Sequence, residues 1–164
     1  MERLNSFLRS KDVNAIVKSV GVGKDPLKVV QKCIELRNRA ADNGKEFDVC
    51  VCLVDVDQHA TLSLATNLAI NEKIVLIISN LKFEMWLRWH KEPSRSSLTS
   101  SQLDELTKKL DLVHNKALSP RFPFDGVYKA CEVAHRADPN MQAGVTGPNP
   151  SSSMPLLVDL LLGK

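Results

Sequence analysis

A chain of 164 residues is about one domain on the usual prior of ~100–200 residues each, and 43% apolar with 25% charged residues is the mixture of an ordinary soluble globular protein. A net charge of +3 is too small to mark a nucleic-acid binder by itself; no apolar run reaches the length of a membrane span, and the N-terminus lacks a signal-peptide core. The four cysteines, Cys33, Cys50, Cys52 and Cys131, stand at scattered spacings, which argues against a disulfide framework and leads to the expectation of a cytoplasmic protein with reduced thiols.

In chain order, Leu4, Phe7 and Leu8 stand at helical spacing and predict a short amphipathic helix over 1–10. The partly alternating, β-branched stretch 13–20 predicts a strand. Asp25 followed by Pro26 is a helix start. That helix carries Leu27, Val30, Cys33, Ile34 and Leu36 and ends near Asn43-Gly44. The uninterrupted apolar run 49–54 predicts a strand buried on both faces of a mostly parallel sheet. Its cysteines, Cys50 and Cys52, share a face and read as inert packing groups; a paired-thiolate metal site is the weaker reading, because no second Cys or His pair has zinc spacing. A helix over 60–71, with Leu64, Ala65 and Leu68 inward, leads to a second buried strand over 73–79.

This alternation predicts an α/β domain with parallel strands joined by crossovers. Beyond Asn80 the texture becomes helical. An aromatic-rich helix over 83–89 is followed by a serine-rich loop over 93–101 and a helix that opens at Ser101 and runs through Leu110. A Pro- and Phe-rich loop over 119–124 precedes a helix over 125–137. A mobile Gly- and Pro-rich segment is expected over 138–150, and an amphipathic helix over 155–162 closes the chain. Residues 1–92 read as the α/β core of a single domain and 93–164 as a helical extension packed on it.

Asp55 and Asp57 end the first apolar strand. Side chains two apart on a strand share a face, so both carboxylates project the same way where the strand leaves the core. Carboxylates that close repel each other unless a cation lies between them, and oxygen-only ligation suits Mg²⁺ or Mn²⁺. The other reading has Asp57 capping the next helix and Asp55 marking a strand end; these residues alone do not choose. Ser79 and Asn80 end the second strand, at the edge where open α/β sheets bind ligands. Glu84 falls in the first turns of the next helix. It either complements the helix dipole or adds a third carboxylate as cation ligand or general base. Trp86 and Trp89 read as core or interface anchors.

Together, Leu53-Val54-Asp55-Val56-Asp57-Gln58-His59 and Ser79-Asn80-Leu81-Lys82-Phe83-Glu84-Met85-Trp86-Leu87-Arg88-Trp89-His90 closely resemble the RloB family, Toprim-like proteins encoded beside restriction and phage-defence genes. The family's pattern is D-x-D-x-H at a strand end, then S-N-P-x-F-E-x-W-L-x-x-H one strand later. Gly23-Lys24-Asp25-Pro26 and Asn149-Pro150-Ser151-Ser152-Ser153 look like two further family segments. The resemblance implies a Toprim-like α/β fold, a small, mostly parallel sheet flanked by helices, and divalent-metal-dependent phosphodiester chemistry. In that scheme Asp55 and Asp57 hold Mg²⁺ (or Mn²⁺). Glu84 binds a second metal or positions the nucleophile, and His59 and His90 contact phosphate or shuttle a proton. Lys116 neutralises phosphate. For each histidine alone a structural hydrogen bond is the default, and for Lys116 a solvated surface position.

Two departures stand out. Toprim enzymes carry a further glutamate at the end of a first strand, and the segment beginning Met1-Glu2-Arg3-Leu4 matches the family's first helix instead. That strand and its glutamate are expected to be missing, which would leave a sheet edge open to pairing with another chain, in a homo-oligomer for example. Leu81 stands where the family usually has proline. The leading expectation is a Mg²⁺-dependent nuclease of an anti-phage system, acting on DNA or RNA, with Arg88, Lys91, Arg95, Lys108, Lys109, Arg121 and Arg136 lining a nucleic-acid path. A second is a catalytically impaired metal-binding or interaction subunit that needs a protein partner such as a defence-system ATPase. A third, a nucleotide-binding regulatory domain, lacks any glycine-rich phosphate loop.

Overall fold

The computed structural model describes residues 1–8, 18–21, 25–56, 60–115 and 117–164. Helix α1 spans Glu2–Leu8 and α2 spans Pro26–Asp42. Strand β1 (Val51–Asp55) is followed by α3 (Leu62–Asn71) and β2 (Val75–Asn80). Then come α4 (Phe83–Trp89), α5 (Ser100–Lys109) and a tight hairpin of β3 (Val113–His114) with β4 (Ala117–Leu118). A 3-10 turn, Phe124–Gly126, leads into α6 (Val127–Ala137), and β5 (Ser151–Ser152) precedes α7 (Met154–Leu161). The strand expected over 13–20 falls mostly outside the described residues; 18–20 are irregular and exposed.

The main sheet has the order β1-β2-β5. β1 and β2 run parallel with Val51 opposite Val75 and Asp55 opposite Ser79, so the two strands end nearly flush. β5 adds an antiparallel edge, Ser79 opposite Ser152, which makes this a mixed α/β sheet flanked by helices. Alternation along the strands sorts their side chains between two cores. Cys52, Val54, Leu76 and Ile78 enter a core with Val30 of α2 and Ala65 and Ala69 of α3. Val51, Leu53, Val75 and Ile77 face the larger core of α1 and α4–α7. The strand pair is thus buried on both faces, which is why it reads as near-continuous apolar sequence.

Several expectations are corrected. Leu64 points outward, 57% exposed, because α3 approaches the sheet through the small side chains Ala65 and Ala69. Helix α5 is capped by Thr99 rather than opened at Ser101: the Thr99 hydroxyl and the Gln102 side chain exchange bonds with each other's backbone in a capping box. The segment 138–150, expected to be mobile, carries no helix or strand but is fastened to the sheet. The Gly144 amide donates to Leu76 O at 2.8 Å, and Asn80 Nδ2 donates to Gly147 O at 3.0 Å. At α2 the expectation holds: Asp25 accepts from the Lys28 amide at 2.9 Å, with Pro26 at the first helical position.

Four helices end the same way. After α2, α3, α5 and α7 the residues Gly44, Lys73, Asp111 and Gly163 take φ of 65, 54, 55 and 71°. Their amides, and those of the following residues, donate back into the last turn, as Lys73 to Ile70 O and Ile74 to Ala69 O. This satisfies carbonyls left open by the helix end. Glycine meets that conformation without steric cost at two of the four sites; Lys73 and Asp111 do not have this freedom.

Helix α4 lies deepest. Met85, Trp86, Leu87 and Trp89 are all buried in the larger core, and Trp89 Nε1 donates to Ser94 O at 3.0 Å. Its sequel His90 is buried too, with Nδ1 3.1 Å from Trp86 O and its ring between Trp86 and Phe122. Gly126 packs directly on the His90 carbonyl, where an added Cβ would stand 2.3 Å from the oxygen. Burial pushes the His90 imidazole down to about 4, against the bond to Trp86 O, which favours the proton.

Two outcomes follow from this packing. Lys73→Gly is expected to stabilise the protein by about 1 kcal/mol through relief of the left-handed backbone; a lower urea midpoint in the variant would contradict this. For His90, the unfolded chain takes up a proton near pH 6.5 that the folded chain refuses until about 4. Its contribution to stability is therefore complete above 6.5 and lost as pH falls towards 4. Urea unfolding between pH 7 and 4 should show the wild type losing about 3 kcal/mol more than His90→Gln; parallel pH profiles would refute it.

Candidate functional site

The flush ends of β1 and β2 form one edge of the sheet, and α4 starts against it. Asp55, the last residue of β1, has the same strand parity as Val51 and Leu53 and so projects towards the α4–α7 core. Its Oδ1 accepts from the Phe83 amide, the first of α4, at 2.9 Å. An acidic side chain here satisfies an unpaired helix amide and meets the positive end of the backbone dipoles. Glu84, the next residue along, is half-buried in the first turn of the same helix. The strand-end carboxylate and the helix-start carboxylate are therefore brought to the same edge.

The rest of the edge is polar and held from the C-terminal half. Ser79, opposite Asp55, is buried with its Oγ 2.8 Å from Ser152 Oγ. The Ser153 hydroxyl accepts from the Ile78 amide at 2.8 Å. Asn80 spends its amide on Gly147 O, and the Asn80–Leu81 peptide that follows is cis. Lys82, immediately before α4, pairs with Asp104 of α5 at 2.7 Å. Ser79 and Asn80 thus act as supports, joining the strand end to β5 and to the segment before it. That serine contribution was not legible, because two adjacent serines carry no strand signal until β2 lies beside them.

Of the other predicted site residues, Asp57, His59 and Lys116 lie outside the described residues. His90 is not brought to this edge. It closes α4 at the opposite end from Glu84, six residues on and so about 9 Å along the axis, buried and bonded to Trp86 O. Its place is that of a core histidine. Arg88, expected along a surface nucleic-acid path, is 6% exposed and paired with Glu92 at 3.2 Å. Arg95 donates to Arg136 O, Lys91 to Leu110 O, and Arg121 pairs with Asp111 at 3.4 Å.

The donors at the edge fit a hard cation by type: Asp55 and Glu84 offer carboxylate oxygens. Among the described residues no group of three or more His, Cys, Asp or Glu side chains is arranged to hold a metal. Asp57, the second strand-end carboxylate of the sequence reading, is not among them. No helix among the described residues is long and apolar enough to cross a membrane.

A grouping that sequence reasoning did not draw lies on the other face of β1, where Cys33 of α2 lines the same core as Cys50 and Cys52. Cys33 stood in the predicted inward stripe of α2. Its distance along the chain from the β1 pair hid the partnership.

Comparison with known proteins bears on the whole chain. No curated protein and no solved structure matches it. The model of the family described as RloB-like protein matches residues 1–161. That is nearly the full length, and it takes in both strand ends, α4 and the closing serine segment. The chain belongs to the RloB-like protein family.

Proposed function

We propose that this protein is a divalent-cation-dependent nuclease that hydrolyses phosphodiester bonds of DNA or RNA, with Asp55, Asp57 and Glu84 as its acidic centre. The observation that carries the reading is the bond from the Phe83 amide to Asp55 Oδ1 at 2.9 Å, which couples a strand-end carboxylate to the helix turn that bears Glu84. Three further points support it. The edge is the C-terminal end of parallel strands, where open α/β sheets bind ligands. The side chains offered are oxygen donors, suited to Mg²⁺ or Mn²⁺. The chain belongs to a family whose resemblance in these same residues implies Toprim-like chemistry and a role in phage defence.

In this reading Asp55 and Asp57 hold the cation, and Glu84 takes part in ligation or orients the attacking water. When bound, the cation supplies Lewis-acid polarisation of the phosphate and stabilises charge on the leaving oxygen. Ser79 and Asn80 fix the strand end and the adjoining loop through Ser152 and Gly147, so that the carboxylates do not drift. His90 takes no part, given its burial. The substrate would approach the edge of the sheet at β1 and β2 rather than the surface around Arg88.

The test pairs stability with cleavage. Asp55→Asn keeps an oxygen that can accept from the Phe83 amide, so Asp55→Asn/Glu84→Gln should remain folded. Saturating Mn²⁺ is expected to raise the melting temperature of the wild type, as binding at about 100 times Kd adds roughly 2.7 kcal/mol, and to leave the double variant unmoved. Cleavage of duplex DNA, single-stranded DNA or tRNA should fall on the order of 100-fold in the variant. A melting shift with no cleavage of any substrate would favour the metal-binding subunit that works through a partner. Equal melting with and without cation in the wild type would overturn the metal centre.

A further inference from the structure

The end of β2 remote from the acidic edge carries a small cavity. Ala69 and Ile70 of α3, Val75 and Leu76 of β2, and Gly144 line it, around a volume of about 220 Å³. A strand rises about 3.3 Å per residue, so the start of β2 stands roughly 17 Å from Asn80, and the cavity shares no residue with the carboxylate site. Its sides are fixed by backbone bonds, the Ile74 amide to Ala69 O and the Gly144 amide to Leu76 O, both at 2.8 Å. A Cβ on Gly144 would come within 3.6 Å of Thr66 Cγ2, so a side chain there would narrow the space.

Lys73 also lines the cavity, exposed and in the left-handed conformation at φ 54°. Asp111, in the same conformation after α5, engages His114, Ser119 and Arg121 with its carboxylate. Lys73 has no such engagement. Among the described residues no carboxylate pairs with its ammonium, and the adjacent Glu72 is held by Arg37 at 2.5 Å. A lysine here complements the negative end of the α3 dipole, but one inside the last turn would do so without the left-handed backbone. A residue kept in a costly conformation points to a use for its side chain. Here that side chain is an unpaired cation beside an apolar cavity.

The surroundings select the ligand. The volume falls below the ~300–1,000 Å³ of pockets for drug-sized ligands, which excludes a nucleotide and suits one aliphatic side chain. Apolar surface continues outside it: Ile70 is 64% exposed and Val145, next to Gly144, is 50% exposed. A free small acid would leave that surface in water. A protein segment would cover it, as interface anchors are ringed by further contacts that exclude water. Charge sets the flank of the anchor, since the free ammonium of Lys73 attracts an anion. We propose that this cavity is a docking site for an acidic segment of a partner protein, which inserts one aliphatic side chain of leucine size and sets a neighbouring carboxylate on Lys73.

The probe is a capped peptide with one leucine between two glutamates, titrated into the isotope-labelled full chain. Amide signals of Ile70, Leu76 and Gly144 should shift together and saturate, with those of Asp55 and Glu84 unmoved. Replacing the peptide's leucine by alanine should weaken binding on the order of tenfold, and replacing both glutamates by glutamine about fivefold. Lys73→Gly, the variant expected to be more stable than the wild type, should lose the same factor of about five, a loss that cannot come from unfolding. Ile70→Gln, at an exposed position, should weaken the peptide without lowering the melting temperature. No saturable shift at these residues, or equal binding of the glutamate and glutamine peptides, would overturn the proposal. Isocaproate binding as tightly as the peptide would overturn the protein partner in favour of a free small acid.

Discussion

The structure depends on one constraint: β1 and β2 must end together, with Asp55 opposite Ser79. That register puts a carboxylate within 2.9 Å of the amide that opens α4. An unpaired helix amide in a half-buried position is costly, so the bond fixes where the chain turns from strand to helix. Everything α4 carries follows from that start. Trp86 and Trp89 enter the larger core, and His90 reaches the carbonyl of Trp86 beneath Phe122. The C-terminal half is then built around α4, returning as β5 to close the far side of β2.

β1 has two faces with different chemistry, separated by strand parity alone. Val51, Leu53 and Asp55 face the α4–α7 side and end in the carboxylate. Cys52 and Val54 face α2, in the core that Cys33 and Cys50 also line. A single strand thus presents hard oxygen donors at its C-terminal end on one side and soft sulfur donors at its N-terminal end on the other.

How much of this could be read from the sequence depends on whether the signal is local. The runs that form β1 and β2 are apolar on both faces, and Asp25-Pro26 announces α2, so these elements were legible within a residue or two. The strand end that carries Asp55 and the first helical turn that carries Glu84 were legible as local positions, and the Phe83 amide joins the one to the other. What failed was non-local. Ser151 and Ser152 become a strand only because β2 offers a partner, and the hairpin of β3 and β4 is too short for a periodicity. Arg88 is charged yet buried, since its Glu92 partner lies one turn on and the aromatic stripe of α4 carries it inward. His90 follows the same helix into the core, at the wrong end for a role beside Glu84.

The central claim is that the end of β1 and the start of α4 form one cation site. Titrating Mn²⁺ into isotope-labelled protein and following paramagnetic broadening of the amide signals tests it most directly, without reference to any substrate. The account predicts that Asp55, Phe83 and Glu84 broaden first and at low stoichiometry, ahead of His90 and of the α2 face of β1. Broadening spread evenly over exposed carboxylates, or centred away from this edge, would contradict it.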